Sequence, residues 1–306
     1  MKPISMRKKW GVEPSNCSSA RSLYSLFSTL GPALRYTLTQ PIASTPMRTC
    51  FLSIPVLTLL LMASCQENSS SHTNLSLSET SPKEDVIFYA SLNRAIHQGQ
   101  YGGTMTVADL LRHGDHGVGS TDRLAYELVI TDGKAYGIPA DGKAYELPDT
   151  TRIPFAAVKI FRSDQKQHVS GQLNLQDLET FLDSLITRNA FAAVRIKGRF
   201  PSIRYRSFQP QQRPYLPTDE VPNVVFTRSN LEATLVGFYT PASAEVINSP
   251  VYHFHFVDRE RTTGGHVLDL IVAEADIEVD YADGLRVSLP DTSLLKHINL
   301  AKSSMQ

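Results

Sequence analysis

The sequence predicts an α+β fold, predominantly antiparallel β, built as two β-rich domains with a few helices. Short apolar runs separated by turn residues dominate the second half of the 306-residue chain. The regular strand–helix–strand alternation of a parallel sheet is missing, and a single segment near residue 180 carries a long apolar stripe at helical spacing. Hydrophobic residues at 42% and charged residues at 20% are those of an ordinary globular chain, which can bury a core.

Taken in order, Phe88, Leu92, Ala95 and Ile96 fall at helical spacing from Val86, predicting a helix that Gly99 and the Tyr101-Gly102-Gly103 turn stop. Thr106 and Asp109 form a capping box for a short second helix, closed by Gly114. Asp115 braces a turn, and His113 and His116 beside it read as structural. Residues 126–130, 134–138 and 155–161 run apolar between Asp-Gly turns, which is hairpin chemistry. Asn174 and Asp177 cap the one clear helix, with Leu175, Leu178, Phe181, Leu182, Leu185 and Ile186 on a single face. Strands are then predicted at 191–196, 203–208, 233–239, 251–257, 267–272, 276–279 and 285–289. The division is placed near residue 190, giving an N-terminal α+β domain at 85–190 and a C-terminal β-rich domain at 191–306.

The N-terminal segment reads as targeting sequence. Residues 51–63, FLSIPVLTLLLMA, are too short for a comfortable membrane span and suit a signal h-region. Leu61-Met62-Ala63-Ser64-Cys65 resembles a bacterial lipobox, so residues 47–64 are the signal peptide and Cys65 carries the lipid anchor. Residues 65–84 are a Ser-rich linker, and 1–46 an upstream extension outside the fold. The expected location is exported and lipid-anchored, facing the periplasm or on the outer membrane, to which Gln66 after the cysteine points. All three cysteines, Cys17, Cys50 and Cys65, precede the fold, which excludes disulfides and thiolate-bound metal within it. Thirty basic against thirty acidic residues argue against nucleic acid, because phosphate affinity needs a Lys/Arg excess.

His253-Phe254-His255 is the most informative feature. The two-residue period of a strand puts both imidazoles on one face and Tyr252, Phe254 and Phe256 on the other. A hairpin at 258–265 returns His266 beside His255. Three imidazoles on two rigid strands leave one tetrahedral position open, the pattern of a catalytic zinc, and place the metal site in a β-hairpin of the C-terminal half. Strand histidines that merely satisfy a hydrogen bond are the plainer reading. A cupin is the competing metalloenzyme, since Glu260 falls where its first motif wants a carboxylate, yet its flanking glycines and second motif are missing.

The stretches TVADLLRHGDHGVGS, PFAAVKIF, VRIKGRFPSIRYRS followed by QQRPY, ATLVGFYTPA and YHFHFVDRERTTGGHVLD resemble, in order over residues 86–292, the motifs of the acetolactate decarboxylase family. The resemblance implies a zinc lyase of two β-rich domains, often a homodimer. Its reaction converts 2-acetolactate to (R)-acetoin and carbon dioxide through a metal-stabilised enediolate. It assigns Zn2+ to His253, His255 and His266, and carries over Arg206 and Glu127 by motif. Each role has a physical reason. A β-keto acid loses carbon dioxide once electrons can flow into a polarised ketone; the Arg206 fork suits the carboxylate and Glu127 the proton transfer. Ser120, where the family usually has Thr, adds a hydrogen bond.

Two departures stand out. Ala125-Tyr126 replaces the family's Asp-Gly before Glu127, and no acid follows Asp291, where the family tail carries a second glutamate back to the zinc pocket. Arg206 also sits among Arg195, Arg199, Arg204 and Arg213, which by itself reads as a solvated basic face. Two further functions stay open on the residues alone: an inactive or repurposed metal-binding surface lipoprotein, and a cupin-like metalloenzyme acting on another small keto acid.

Overall fold

The computed structural model describes residues 85–301; the expected extension (1–46), signal peptide (47–64), linker (65–84) and lipidated Cys65 lie outside them. The chain runs through β1 (Val86–Ala90), α1 (Asn93–His97), β2 (Met105–Thr106), α2 (Val107–Leu111), β3 (His116–Ser120), β4 (Glu127–Thr131) and β5 (Lys134–Ile138). Next come β6 (Tyr145–Glu146), β7 (Arg152–Ile153), β8 (Phe155–Lys159), β9 (Gln165–Asn174) and α3 (Leu175–Leu185). The last elements are β10 (Phe191–Phe208), β11 (Asn223–Thr240), β12 (Val251–Asp258), β13 (Gly264–Ala282), β14 (Gly284–Ser288) and α4 (Thr292–Leu295).

The fold is α+β and predominantly antiparallel. One sheet has the order β14-β1-β8-β3-β4-β5-β6, in which β1 and β14 form the parallel pair. The other runs β10-β11-β12-β13-β9 and closes on itself, because β10 pairs with β13 as well as β11. The chain passes from the first sheet to the second between Lys159 and Gln165, earlier than residue 190, and β14 returns to the first. Both β9 and α3 therefore go with the second sheet, where Leu178, Leu182 and Ile186 pack beside Val272, Ile277 and Val279. The predicted capping boxes are present: Thr106 accepts from the Asp109 amide and Asn174 from the Asp177 amide.

The sheets differ from the sequence expectation in several places. Residues 86–90 form a strand, and helix begins only at Asn93, because β1 lies between β14 and β8 with Ile87, Phe88 and Tyr89 all buried. The runs at 191–196 and 203–208 join in one 18-residue strand. Gly198 permits this, since a Cβ there would lie 2.2 Å from the Glu274 carbonyl oxygen of β13. The runs at 267–272 and 276–279 likewise merge in β13. Finally, β3 and β9 were not foreseen: HGVGS has too few side chains to alternate, and QKQHVSGQLN is a polar edge strand.

The two sheets meet face to face. Ile87, Tyr89, Val118, Val129, Ile138 and Ala157 from the first pack against Ala193, Val236, Phe238 and Val257 from the second. Phe238 is fully buried there, so Phe238→Ala is expected to destabilise by about 3–5 kcal/mol, read as a lower denaturant midpoint. A change under about 1 kcal/mol would mean that this layer collapses to fill the void. Lys159, also fully buried, ties the layers with its ammonium 2.7 Å from the Asp280 carboxylate and paired to Asp85.

Candidate metal centre and active site

The alternation of β12 turns His253, His255 and Val257 toward the first sheet, while Phe254 and Phe256 enter the core beneath α3. The hairpin then sets His266 opposite His255, and the same strand sets His266 opposite Arg206 of β10. Gly265 makes this return with φ of 143°, and a Cβ there would meet the Arg206 carbonyl oxygen at 2.8 Å, so glycine is required.

The three rings converge on one point. His255 Nε2 lies 3.2 Å from His253 Nε2 and 3.2 Å from His266 Nδ1, and all three nitrogens fall within 4.8 Å of one another. A tetrahedral zinc with Zn–N bonds near 2.0–2.1 Å would separate its nitrogens by about 3.3 Å. The outer nitrogens of His255 and His253 fix the tautomers of those two rings. His255 Nδ1 is 2.8 Å from the Leu128 carbonyl oxygen, which can only accept, so the proton sits on Nδ1 and the Nε2 lone pair faces inward. His253 Nδ1 is 3.3 Å from Asn248 Oδ1, whose own amide nitrogen donates to Thr240 Oγ1. Burial lowers the proton affinity of all three rings, His255 to about 3, and Arg206 lowers it further. Burial thus favours the neutral form of each ring, and one nitrogen from each converges on a shared point. A divalent cation fits this donor set.

Glu127 and Ser120 approach from the first sheet, facing each other across the β3–β4 ladder. Glu127 Oε2 is 3.6 Å from His255 Nε2. Burial pushes its carboxyl up to about 7, against the opposing pull of Arg206. Glu127 Oε1 and Ser120 Oγ are both buried without a hydrogen-bond partner, an arrangement that invites a polar ligand. Arg206 is half-buried, its guanidinium stacked 4.3 Å from the Phe208 ring centroid. Its planar fork is thus held in place instead of roaming a basic surface.

All six residues singled out in the sequence, Ser120, Glu127, Arg206, His253, His255 and His266, line one cavity of about 60 Å³. Among its other walls, the sequence gives no sign of Asn93, Ile96 and His97 of α1, Thr218, or Ser249. His97 is lowered in proton affinity by burial, raised by Asp219 and lowered by Arg206. No local pattern marks His97 or Asn248. Glu260, which the cupin reading needs, is exposed in the hairpin turn and does not line the cavity. His113 stacks on Phe88 and His116 is buried beside Phe161 and Phe238; neither lines it.

A buried carboxyl, a clamped arginine and three converging imidazoles between two β-sheets are the equipment of a carboxy-lyase with a site that could bind a metal. The model of the alpha-acetolactate decarboxylase family matches residues 87–302. The chain is 38% identical to the alpha-acetolactate decarboxylase of Methanosarcina mazei, over 73% of this chain and 78% of that protein. It is 31% identical to that of Bacillus subtilis, over 70% of this chain and 85% of the relative. The crystal structure of the Bacillus subtilis strain 168 enzyme superposes with a TM-score of 0.69 at 30% identity, covering 71% of this chain and 94% of that one. The chain belongs to the alpha-acetolactate decarboxylase family.

Proposed function

We propose that this protein decarboxylates 2-acetolactate to (R)-acetoin and carbon dioxide, with Zn2+ as its resident metal on His253, His255 and His266. The observation that carries the reading is the convergence of three imidazole nitrogens within 4.8 Å of one another beside an unpartnered carboxyl oxygen. When bound, zinc supplies a Lewis acid that polarises the substrate's ketone and hydroxyl oxygens.

The chain's own side chains do the rest. Arg206 receives the substrate carboxylate in its fork and balances the negative charge that stays behind after carbon dioxide leaves. Glu127, whose carboxyl burial pushes up to about 7, donates to the carbon that lost the carboxylate. Because the donor stands on a rigid strand, the proton arrives from one side and the product is a single enantiomer. Ser120 Oγ supplies a hydrogen bond beside Glu127. Burial of Ser120, Glu127, His253 and His255 keeps bulk water from them, which strengthens their interactions.

The test is direct. Purified protein given 2-acetolactate should release carbon dioxide and (R)-acetoin, separated by chiral chromatography; no acetoin, or a racemate, would overturn the reading. Arg206→Lys keeps the charge but loses the fork, so kcat/KM should fall roughly 10- to 100-fold with zinc content unchanged. Undiminished turnover would return Arg206 to the solvated face.

The location follows from the leader motif alone. We propose lipid anchoring at Cys65, which accounts for the apolar run at 51–63 and the Ser-rich stretch after it. Cys65→Ser in the native host should free the protein from the membrane fraction or leave it unprocessed; normal maturation and fractionation would contradict the anchor.

A further inference from the structure

Decarboxylation of 2-acetolactate consumes one proton in every turnover. The bond between the carboxylate carbon and its neighbour breaks, and its electron pair passes into the ketone. A new C–H bond then forms with a proton from Glu127. Glu127 is left as a carboxylate at 5% exposure and must regain a proton from solvent before the next cycle. Of the other ionisable groups lining the cavity, Arg206 does not release its proton and His253, His255 and His266 commit their lone pairs to the metal point. That leaves His97.

His97 stands at the end of α1, and its side chain is 26% exposed, so it reaches both the cavity and solvent. Its Nδ1 is buried without a hydrogen-bond partner and lies 3.8 Å from Asp219 Oδ1, on the 3-10 turn Thr218–Glu220. Asp219 is 73% exposed, in open contact with water and buffer. The turn is fixed against α1, because Thr218 Oγ1 donates to the Ile96 carbonyl and meets Tyr101 OH at 3.1 Å. The charged and titratable neighbours of His97 are Asp219, Arg206 of β10, His253 of β12 and His266 of β13.

We propose that His97, backed by Asp219, is the relay through which the proton consumed in each turnover passes from solvent to Glu127. An imidazole suits the task, since it accepts on one nitrogen and donates from the other, and the Asp219 carboxylate 3.8 Å away stabilises its brief charge. His97 is thus a relay residue and Glu127 the donor to carbon. The inference rests on the decarboxylase reading above.

The test compares the full-length wild type, His97→Gln and Asp219→Asn at saturating 2-acetolactate, in low buffer and with added imidazole. Glutamine can hydrogen-bond but cannot carry a proton, so kcat of His97→Gln should fall roughly tenfold or more in low buffer. Imidazole should restore it, while KM, zinc content and the enantiomeric excess of acetoin stay at wild-type values. Asp219→Asn, on an exposed turn that tolerates the change, should show a smaller fall with the same rescue. Wild-type kcat in low buffer for both variants, a fall that imidazole does not restore, or a changed enantiomeric excess would overturn the relay. Absence of acetoin from the wild type would overturn the decarboxylase reading itself, and the relay with it.

Discussion

His255→Ala is expected to lose metal and turnover together. His255 is the central ring of the three, with its Nε2 3.2 Å from each neighbour, and it alone is anchored to the first sheet through the Leu128 carbonyl. Removing it leaves two imidazoles on different strands, too few to hold a catalytic zinc. Since a Lewis acid is worth several kcal/mol of barrier, and each 1.4 kcal/mol is tenfold, turnover should drop roughly a thousandfold or more. Metal content by plasma mass spectrometry, read beside acetoin formation, checks both halves. A variant that keeps a full equivalent of zinc, or turns over normally without it, would show that the three histidines only satisfy one another in the core. Near-native circular dichroism distinguishes metal loss from unfolding.

The second large effect is expected at Glu127. Glu127→Gln preserves size and hydrogen bonding but cannot donate a proton to carbon, so kcat should fall about 10²- to 10⁴-fold while zinc stays bound. Packing should not suffer, because Gln has the shape of the neutral carboxyl that burial favours at this position. Glu127→Asp keeps the acid but withdraws it by one methylene, and should recover only part of the rate. If Glu127→Gln turned over at the wild-type rate, the proton would come from another group, and the unpartnered Oε1 would be a packing feature.

The three-histidine cluster was legible because a strand has a period of two. His253 and His255 had to share a face, and paired glycines before His266 announced the hairpin that brings it alongside. The helix Leu175–Leu185 was legible for a similar local reason, its capping box and apolar stripe both lying within one segment. Other features are made only by packing between distant segments. VIFYA reads equally as half an amphipathic helix until β14 and β8 flank it. HGVGS becomes a strand because its glycines let β8 approach, with Phe155 O where a Gly119 Cβ would be. Cavity residues from α1, the turn at 218–220 and the segment before β12 carry no pattern of their own. His97, Asp219 and Asn248 acquire meaning only from what lies next to them in space. Glu127 and Arg206 are intermediate cases, found by family motif and then placed beside the histidines, Arg206 by ladder register and Glu127 by the packing of one sheet on the other.

The account turns on one claim: that three imidazoles between these two sheets hold the metal on which decarboxylation depends. The most direct measurement is a titration of the chelator-treated, metal-free protein with Zn2+ while acetoin formation from 2-acetolactate is followed. Activity should start near zero, rise in proportion to added zinc and level off at one equivalent per chain. Full activity in the metal-free protein, or a rise that ignores this stoichiometry and persists in His255→Ala, would contradict the account.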